Sequence, residues 1–480
     1  MADGGARLAP FSALGEPLLA FSATGSGGLR THPLVGLSML GPYTKTVFAA
    51  FTPEVRIAIV GPDSGREARR DLLGSLGAHH APSDRREYLP PYPGFEKVFG
   101  VPLVPAPPEA QLTLPERIDD RNGTSPHERV RAALAAAVHS LSAVRDRFDV
   151  AVFHLPDAWA QGLRGVGFDA HDELKALCAV LGIPTQVVND RVFKFDYKAS
   201  RAWRLGIATY VKAGGVPWKL APIAGVPDDT AYVGLAYALR GDPREAQFVT
   251  CCSQVFDADG GGMQFVAYDA HDPIEDAASA RRNPYLSRDD MRAVLARSLQ
   301  LYQRRNGGNL PRRVVVHKTT AFRDEELNGA LDALSAVDEV DCIEITTNVT
   351  WRGVWLRAPR DQANKSEPDG YPVRRGTMVP LTGASALLWV AGNAPEVGLK
   401  GNYYQGSKSI PTPLLITRHA GRGSLEMAAA EVLALSKMDW NNDALYDPVP
   451  VTVRYSKVLA RTIANVPSLR REVYPYRLFM

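Results

Sequence analysis

Two hydrophobic patterns divide this chain. Through the first 220 residues, short continuous apolar runs alternate with helical spacing. Val55 to Val60 reads VRIAIV and closes on Gly61-Pro62, which predicts a buried strand. Residues 63–80 carry helical spacing. Ser125-Pro126-His127-Glu128 is a capping box with proline at the first helical position, predicting a helix to about Arg147. Phe148 to Leu155, FDVAVFHL, then reads as a second buried strand. A further helix carries His171 and Lys175 and stops at Gly182, a glycine C-cap. Thr185 to Val188 is a short strand, and helical spacing resumes from about Ala199 to Lys212, just before Gly214-Gly215. This alternation predicts a small parallel sheet with helices on its faces. Ligands of such sheets sit at the carboxyl ends of the strands. Two stretches break the pattern. Residues 1–30 are rich in Gly, Ala and Ser and predict a loose lead-in. Residues 88–109 hold LPPYPGFEKVFGVPLVPAPP, too proline-rich for a regular helix, and predict an extended surface segment.

Beyond Leu220 the pattern changes. Tyr232 to Leu239, Gln247 to Val255 and Met263 to Tyr268 are three strands with tight connections at Gly241-Asp242-Pro243 and Asp257-Ala258-Asp259-Gly260. They predict an antiparallel meander. A helix from Ser287 to about Asn306, a strand from Arg313 to His317 and a helix after Phe322 follow.

Composition adds limits. At 480 residues the chain has room for two or three domains, and 45% hydrophobic with 22% charged residues is ordinary for a globular protein. A net charge of +3 neither requires nor excludes nucleic acid, because a local basic groove hides in a balanced total. The four cysteines show no metal-ligand spacing and suit a reducing cytoplasm; Cys251-Cys252 reads as strand residues. No apolar run reaches transmembrane length, so no membrane partner is expected, and the first residues lack a signal-peptide core.

The chemistry gathers between His171 and Lys212. His171 and Lys175 share one helix face at a spacing of four. Gln186 lies on the next strand and Lys212 in the last turn of the next helix. Two cations and an amide converge near a helix N-terminus, whose free N–H groups and dipole attract phosphate. A terminal phosphate of a nucleic acid is the natural guest. The order His171, Lys175, Gln186, Lys212, then Ala-Gly-Gly-Val-Pro-Trp, resembles the MID domain of Argonaute proteins. In that family the matching positions hold the guide 5′ phosphate. The second half resembles a PIWI domain of the RNase-H-like fold, through YVGLAYAL, VVVHKTTAF and PVPVTVRYSKVLARTIANV. The stretch LSKMDWNNDALYDPVPVTVRYSKVLA is similar to the short prokaryotic Argonautes, and the length leaves no room for N-terminal and PAZ domains before MID.

The resemblance also locates the nuclease positions. RNase-H-like nucleases cut with two metal ions about 4 Å apart, held by carboxylates. The positions that match the family's metal ligands hold Ala236, Thr319 and Lys457, which cannot bind the metals. An inactive PIWI domain is therefore expected. The alternative is an active guided nuclease with a non-standard metal site, such as one rebuilt from Asp257 and Asp259. Arg304-Arg305 and Arg374-Arg375 are candidate contacts for backbone phosphates. The chain ends Tyr474-Pro475-Tyr476-Arg477-Leu478-Phe479-Met480, apolar to the last residue, so this terminus is expected to be buried. By resemblance, the carboxylate of Met480 would hold Mg2+ beside the guide phosphate; a tail packed at the domain boundary is the other reading.

The expected architecture is α/β: a lead-in over 1–30, a Rossmann-like MID domain over 31–220 and an inactive RNase-H-like PIWI domain over 221–480. The resemblance implies guide-RNA-directed recognition of single-stranded DNA without cleavage. It also implies a partner carrying an APAZ domain with a sirtuin-like, Toll/interleukin-receptor-like or nuclease effector, in a prokaryotic defence complex.

Overall fold

A computed structural model describes residues 10–23, 26–47, 52–118, 123–240, 247–258, 261, 264–269, 274–275, 284–357, 366–406, 409–466, 469 and 473–480. The chain enters through β1 (Ser12–Ala13), β2 (Leu19–Ala20) and β3 (Leu29–Arg30), followed by α1 (Pro33–Leu40). The α/β unit follows with β4 (Val55–Gly61), α2 (Arg66–Gly77), α3 (Phe95–Phe99), β5 (Leu103–Pro105) and β6 (Gln111–Thr113). It continues through α4 (Pro126–Ser142), β7 (Val150–His154), α5 (Ala170–Val180), β8 (Thr185–Val188), α6 (Lys198–Lys212) and β9 (Lys219–Leu220). Its sheet is parallel in the order β8-β7-β4-β5, with β6 also pairing β4. Both faces of β4 and β7 are covered, which is why those strands read as unbroken apolar runs. The capping box at Ser125 is present, and Gly182 takes φ 64° just past α5.

The second half is built on a ten-stranded mixed sheet. Its elements in chain order are β10 (Thr230–Arg240), β11 (Gln247–Phe256), β12 (Gln264–Asp269), α7 (Arg288–Arg305), β13 (Arg313–Lys318), α8 (Asp324–Ala333) and β14 (Glu339–Thr346). Then come β15 (Thr377–Pro380), β16 (Ser385–Leu388), β17 (Leu414–Ala420), α9 (Leu425–Leu435), α10 (Val451–Asn465) and β18 (Val473–Pro475). The strand order is β1-β15-β16-β17-β14-β13-β10-β11-β12-β18. β10, β11 and β12 form the expected antiparallel meander, and β13 joins β10 in parallel. The connection at Gly241-Asp242-Pro243, and Asp259-Gly260, lie outside the described residues. α7 and α8 pack on one face of this sheet, while α9 and α10 pack on the other. One apolar cluster runs from Trp203 and Trp218 to Trp440, Tyr455 and Met480, so the halves share a core.

Two expectations are corrected. Among the described residues of the lead-in, Ser12–Ala13 pairs with Thr377–Met378, and Leu19–Ala20 pairs with both Leu29–Arg30 and Lys219–Leu220. Leu19 and Phe21 are fully buried; small residues in this segment permit close packing rather than looseness. The proline-rich run is core rather than surface. Tyr88, Tyr92, Phe95 and Phe99 are buried, Tyr92 meets Trp203 edge-on at 5.1 Å, and Phe99 stacks on Tyr210 at 4.6 Å. Proline forbids a long helix here, but the five-residue helix α3 fits between prolines.

Candidate guide-end pocket

His171, Lys175, Gln186, Lys212 and Met480 all line one cavity of about 230 Å3. Asp169 caps α5 by accepting from the N–H groups of His171 and Asp172, which sets His171 on the first turn. Lys175, one turn on, is 2% exposed and donates to the Thr185 carbonyl at 2.7 Å and the Met480 backbone oxygen at 2.5 Å. Lys212 is 1% exposed and donates to Oε1 of Gln186 at 2.5 Å. Neither lysine has an Asp or Glu partner among the described residues. Burial pushes the Lys175 ammonium down to about 8. Burial and the charge of Lys175 hold Lys212 well below the usual lysine range. Two buried cations without an Asp or Glu partner are costly in an empty pocket and suited to an anion. His171 differs: its side chain is 45% exposed at the cavity rim.

Sequence reasoning missed the far wall, formed by Arg454, Tyr455, Val458 and Arg461 of α10 with Asp439 and Asn441. The four α10 positions follow i, i+1, i+4, i+7, a helix-face signal present in the sequence. Arg461 pairs with Asp172 at 3.2 Å, and Asn465 donates to Asp172 at 2.7 Å. Burial alone would raise the Asp172 carboxyl; hydrogen bonds from His171 and Asn465 and the charge of Arg461 hold it at about 2. Arg454 bridges Asp439 at 3.0 Å and Asp447 at 2.6 Å. Burial and the neighbouring Asp439 push Asp447 up to about 8 while Asp439 stays low, so these two carboxyls titrate as a pair. The terminal Leu478, Phe479 and Met480 are buried, as their apolar character predicts.

The donor set for a metal is narrow. Asp169, His171 and Asp172 come within 4.8 Å of one another, but Asp169 caps α5 and Asp172 is held by Arg461 and Asn465. Asp439 accepts from Tyr455, Asn441, Asn442 and Arg454. The Met480 oxygen also faces the cavity but accepts from Lys175 at 2.5 Å; with an anion taking that lysine, it would be free as a hard oxygen ligand of the kind Mg2+ prefers.

The three nuclease positions lie on elements that pack together. The parallel register sets Gly234 beside His317; Ala236 lies two residues on along β10, and Thr319 just past the end of β13. α10, which carries Lys457, packs across β10, and His317 is tied to Thr452 of that helix at 2.9 Å. Ala236 is buried and Lys457 exposed. Asp257 follows Phe256, which pairs with Tyr232, so it lies beside the start of β10, while Ala236 is in the middle of that strand. At about 3.3 Å per residue that is well over 10 Å away. Asp259 is outside the described residues. Arg304 and Arg305 are exposed at the end of α7. Arg375 is not a phosphate contact: it is buried, paired with Glu16 at 2.9 Å and bonded to the Val390 and Leu433 carbonyls. Arg374 is exposed, over the Trp355 ring.

The parallel α/β unit, the RNase-H-like sheet and the pocket at their seam define the fold as that of the MID and PIWI parts of Argonaute proteins. Argonaute from Clostridium butyricum, solved with a guide DNA and a 19-mer target DNA, superposes with a TM-score of 0.70 at 15% identity. Aquifex aeolicus Argonaute gives 0.60 at 14%, and Drosophila Piwi 0.61 at 14%. Each match covers 98% of this chain and 55%, 56% and 56% of those chains, so this chain spans little more than half their length. No family model matches the sequence, and no curated protein does.

Proposed function

We propose that this chain binds a small guide RNA by its 5′ phosphate and presents it for pairing with single-stranded DNA, without cutting the target. The observation that carries the reading is the cavity itself. Lys175 and Lys212 are buried there without an Asp or Glu partner, beside Gln186 and below the exposed His171. A phosphate would give both lysines an anion, replacing the Met480 oxygen as the partner of Lys175, with each charge-assisted hydrogen bond contributing about 1.5–3 kcal/mol. Met480 would hold Mg2+ against that phosphate through its carboxylate. Ala236, Thr319 and Lys457 support the absence of cleavage. Watson–Crick pairing then selects the target, as in other guided effectors. A bound duplex without cleavage needs an output. The chain therefore acts as the cytoplasmic sensor subunit of a prokaryotic defence complex, whose APAZ-bearing partner carries a NAD-consuming or nuclease effector.

The experiment loads the protein with a 5′-phosphorylated RNA or DNA guide and a labelled complementary DNA strand, in Mg2+ or Mn2+. A stable ternary complex with uncut DNA over hours, stronger with the RNA guide, is the expected result. A product cut at one fixed distance from the guide 5′ end would replace this reading with the guided-nuclease alternative.

A further inference from the structure

The helices of the MID half leave one face of its parallel sheet unfinished. Parallel strands are ordinarily buried on both faces. α4 and α5 complete one face. On the other, α2 and α6 cover the inner strands, and a cleft of about 690 Å3 opens between α2 and the outer strands β5 and β6. Ile59, Leu103 and Leu112 form part of its floor and are only half-buried.

α2 is the wall of this cleft, and its sequence there is unusual. Arg66, Arg70, Leu73, Gly74 and Gly77 line the cleft at i, i+4, i+7, i+8 and i+11, one stripe of the helix. A side chain at Gly74 would meet nothing within 4 Å. Glycine inside a helix costs about 1 kcal/mol relative to alanine, and nothing among the described residues packs against the bare backbone at that point. A close-packed neighbour would use it. Arg69 is the second anomaly. It is 5% exposed, donates to the Pro62 carbonyl at 2.8 Å and meets Nδ1 of His154 at 3.2 Å, while its Nε has no partner. No carboxylate pairs with it among the described residues, although buried guanidinium groups ordinarily have one. Asp63 and Glu96 are the acids on the cleft, and Asp63 is already bonded to Arg66 and Thr113.

We infer that the cleft between α2 and the β5–β6 edge docks an amphipathic helix with an acidic flank, contributed by a second polypeptide. The apolar stripe of that helix would fill the floor over Ile59, Leu103 and Leu112. Its backbone would cross α2 at Gly74 and Gly77, and its Asp or Glu side chains would meet Arg66, Arg69 and Arg70. This is helix-in-groove recognition, with the added helix completing the missing layer of the sheet. The inference rests on the reading of this chain as one subunit of a complex.

The test uses the full chain co-purified with the product of the neighbouring reading frame. A photo-crosslinking amino acid replaces Thr113 at the cleft rim, and mass spectrometry identifies the joined peptide. The expected partner peptide has helical apolar spacing and flanking Asp or Glu. Two further variants separate docking from folding. Gly74→Leu is expected to raise the melting temperature of the isolated chain yet weaken the complex at least tenfold. Arg66→Glu with Arg70→Glu weakens the complex to a similar degree and leaves affinity for a 5′-phosphorylated guide unchanged. A complex that crosslinks elsewhere or only to a second copy of this chain, or that tolerates both variants, overturns the docking site and leaves the subunit reading intact. Failure of any complex to form overturns both.

Discussion

Raising the pH through 8 should move guide binding and fold stability in opposite directions. In the empty pocket burial holds the Lys175 ammonium at about 8, against 10.5 for an unperturbed lysine. Below pH 8 this lysine is charged and ready for a phosphate. Above pH 8 the empty pocket loses that proton, while a bound phosphate restores it, so binding takes up a proton. Affinity should then fall by up to about tenfold per pH unit, or about 1.4 kcal/mol each. Below about pH 6 the phosphate gains its own second proton and affinity falls again, leaving an optimum between about 6 and 8. Stability of the empty protein has the other sign. A lysine whose folded pKa is depressed makes the fold less stable while it is charged; between pH 8 and 10.5 the unfolded chain binds the extra proton, so stability rises with pH. The shift of roughly 2.5 units corresponds to about 3 kcal/mol. Lys437, also held at about 8 by burial, adds to the stability trend but lies outside the guide pocket. The assay is filter binding of one labelled guide with a 5′ phosphate and again with a 5′ hydroxyl, from pH 5.5 to 10, beside melting curves of the guide-free protein. A phosphate-to-hydroxyl affinity ratio that stays constant above pH 8 would refute the argument.

Three other outcomes follow from the same geometry. Lys212→Met should weaken binding of a 5′-phosphorylated guide by about 10- to 100-fold, the loss of one charged hydrogen bond, while raising the guide-free melting temperature; equal weakening of the hydroxyl guide would show the pocket to be misassigned. Asp443→Ala removes the buried carboxylate that accepts from Arg85 and Ser200 across the seam, leaving Arg85 with Asp84 and Ser200, and should destabilise the protein by about 1.5–3 kcal/mol in chemical denaturation; a change under about 0.5 kcal/mol would remove that clamp from the account. Ala236→Asp alone should give no cleavage of target DNA in Mn2+, because two-metal chemistry needs several carboxylates together and Thr319 and Lys457 remain; a cut product from this single change would show a metal site already nearly complete.

The parts of the site that were legible in the sequence are those set by local spacing. His171 and Lys175 are four apart on one helix, Gln186 is on the following strand, and Lys212 ends the next helix; chain connectivity in a parallel α/β unit brings these elements together at one end. The apolar terminus was legible because an exposed end would be polar. Arg454 and Arg461 were not, because a surface helix with arginines looks the same whether it faces solvent or a cavity formed by another domain. Arg374-Arg375 misleads for a related reason: the doublet enters a turn and its two side chains part, so Arg374 is exposed over Trp355 and Arg375 buried among carbonyls and Glu16. In the proline-rich run, Tyr88, Tyr92, Phe95 and Phe99 recur at helical intervals. That apolar spacing outweighed the prolines, since burial depends on side chains while proline restricts only the backbone between them.

The position of the pocket explains why its lysines stay buried at all. Its cations come from α5 and α6, its far wall from α10, and its floor from the terminus at Met480. None of these surfaces encloses the cavity alone. The segment from Asp439 to Asp447 joins them. Asp439 lines the pocket, while Asp443, four residues on, is buried and accepts from Ser200 of α6 and from Arg85. Arg85 holds that contact with a backbone φ of 42°, a conformation disfavoured for a residue with a Cβ. Strain at Arg85 and desolvation at Lys175 and Lys212 are all unfavourable in the guide-free protein. They persist because the apolar core shared by the two halves over-determines their geometry. A phosphate entering the cavity would relieve the desolvation of the lysines on one side of the seam and would meet Arg454 and Arg461 on the other. Its binding energy therefore acts on the contact between the halves as well as on the guide, and a change that loosens Asp443 should weaken guide binding without touching any residue that meets the phosphate.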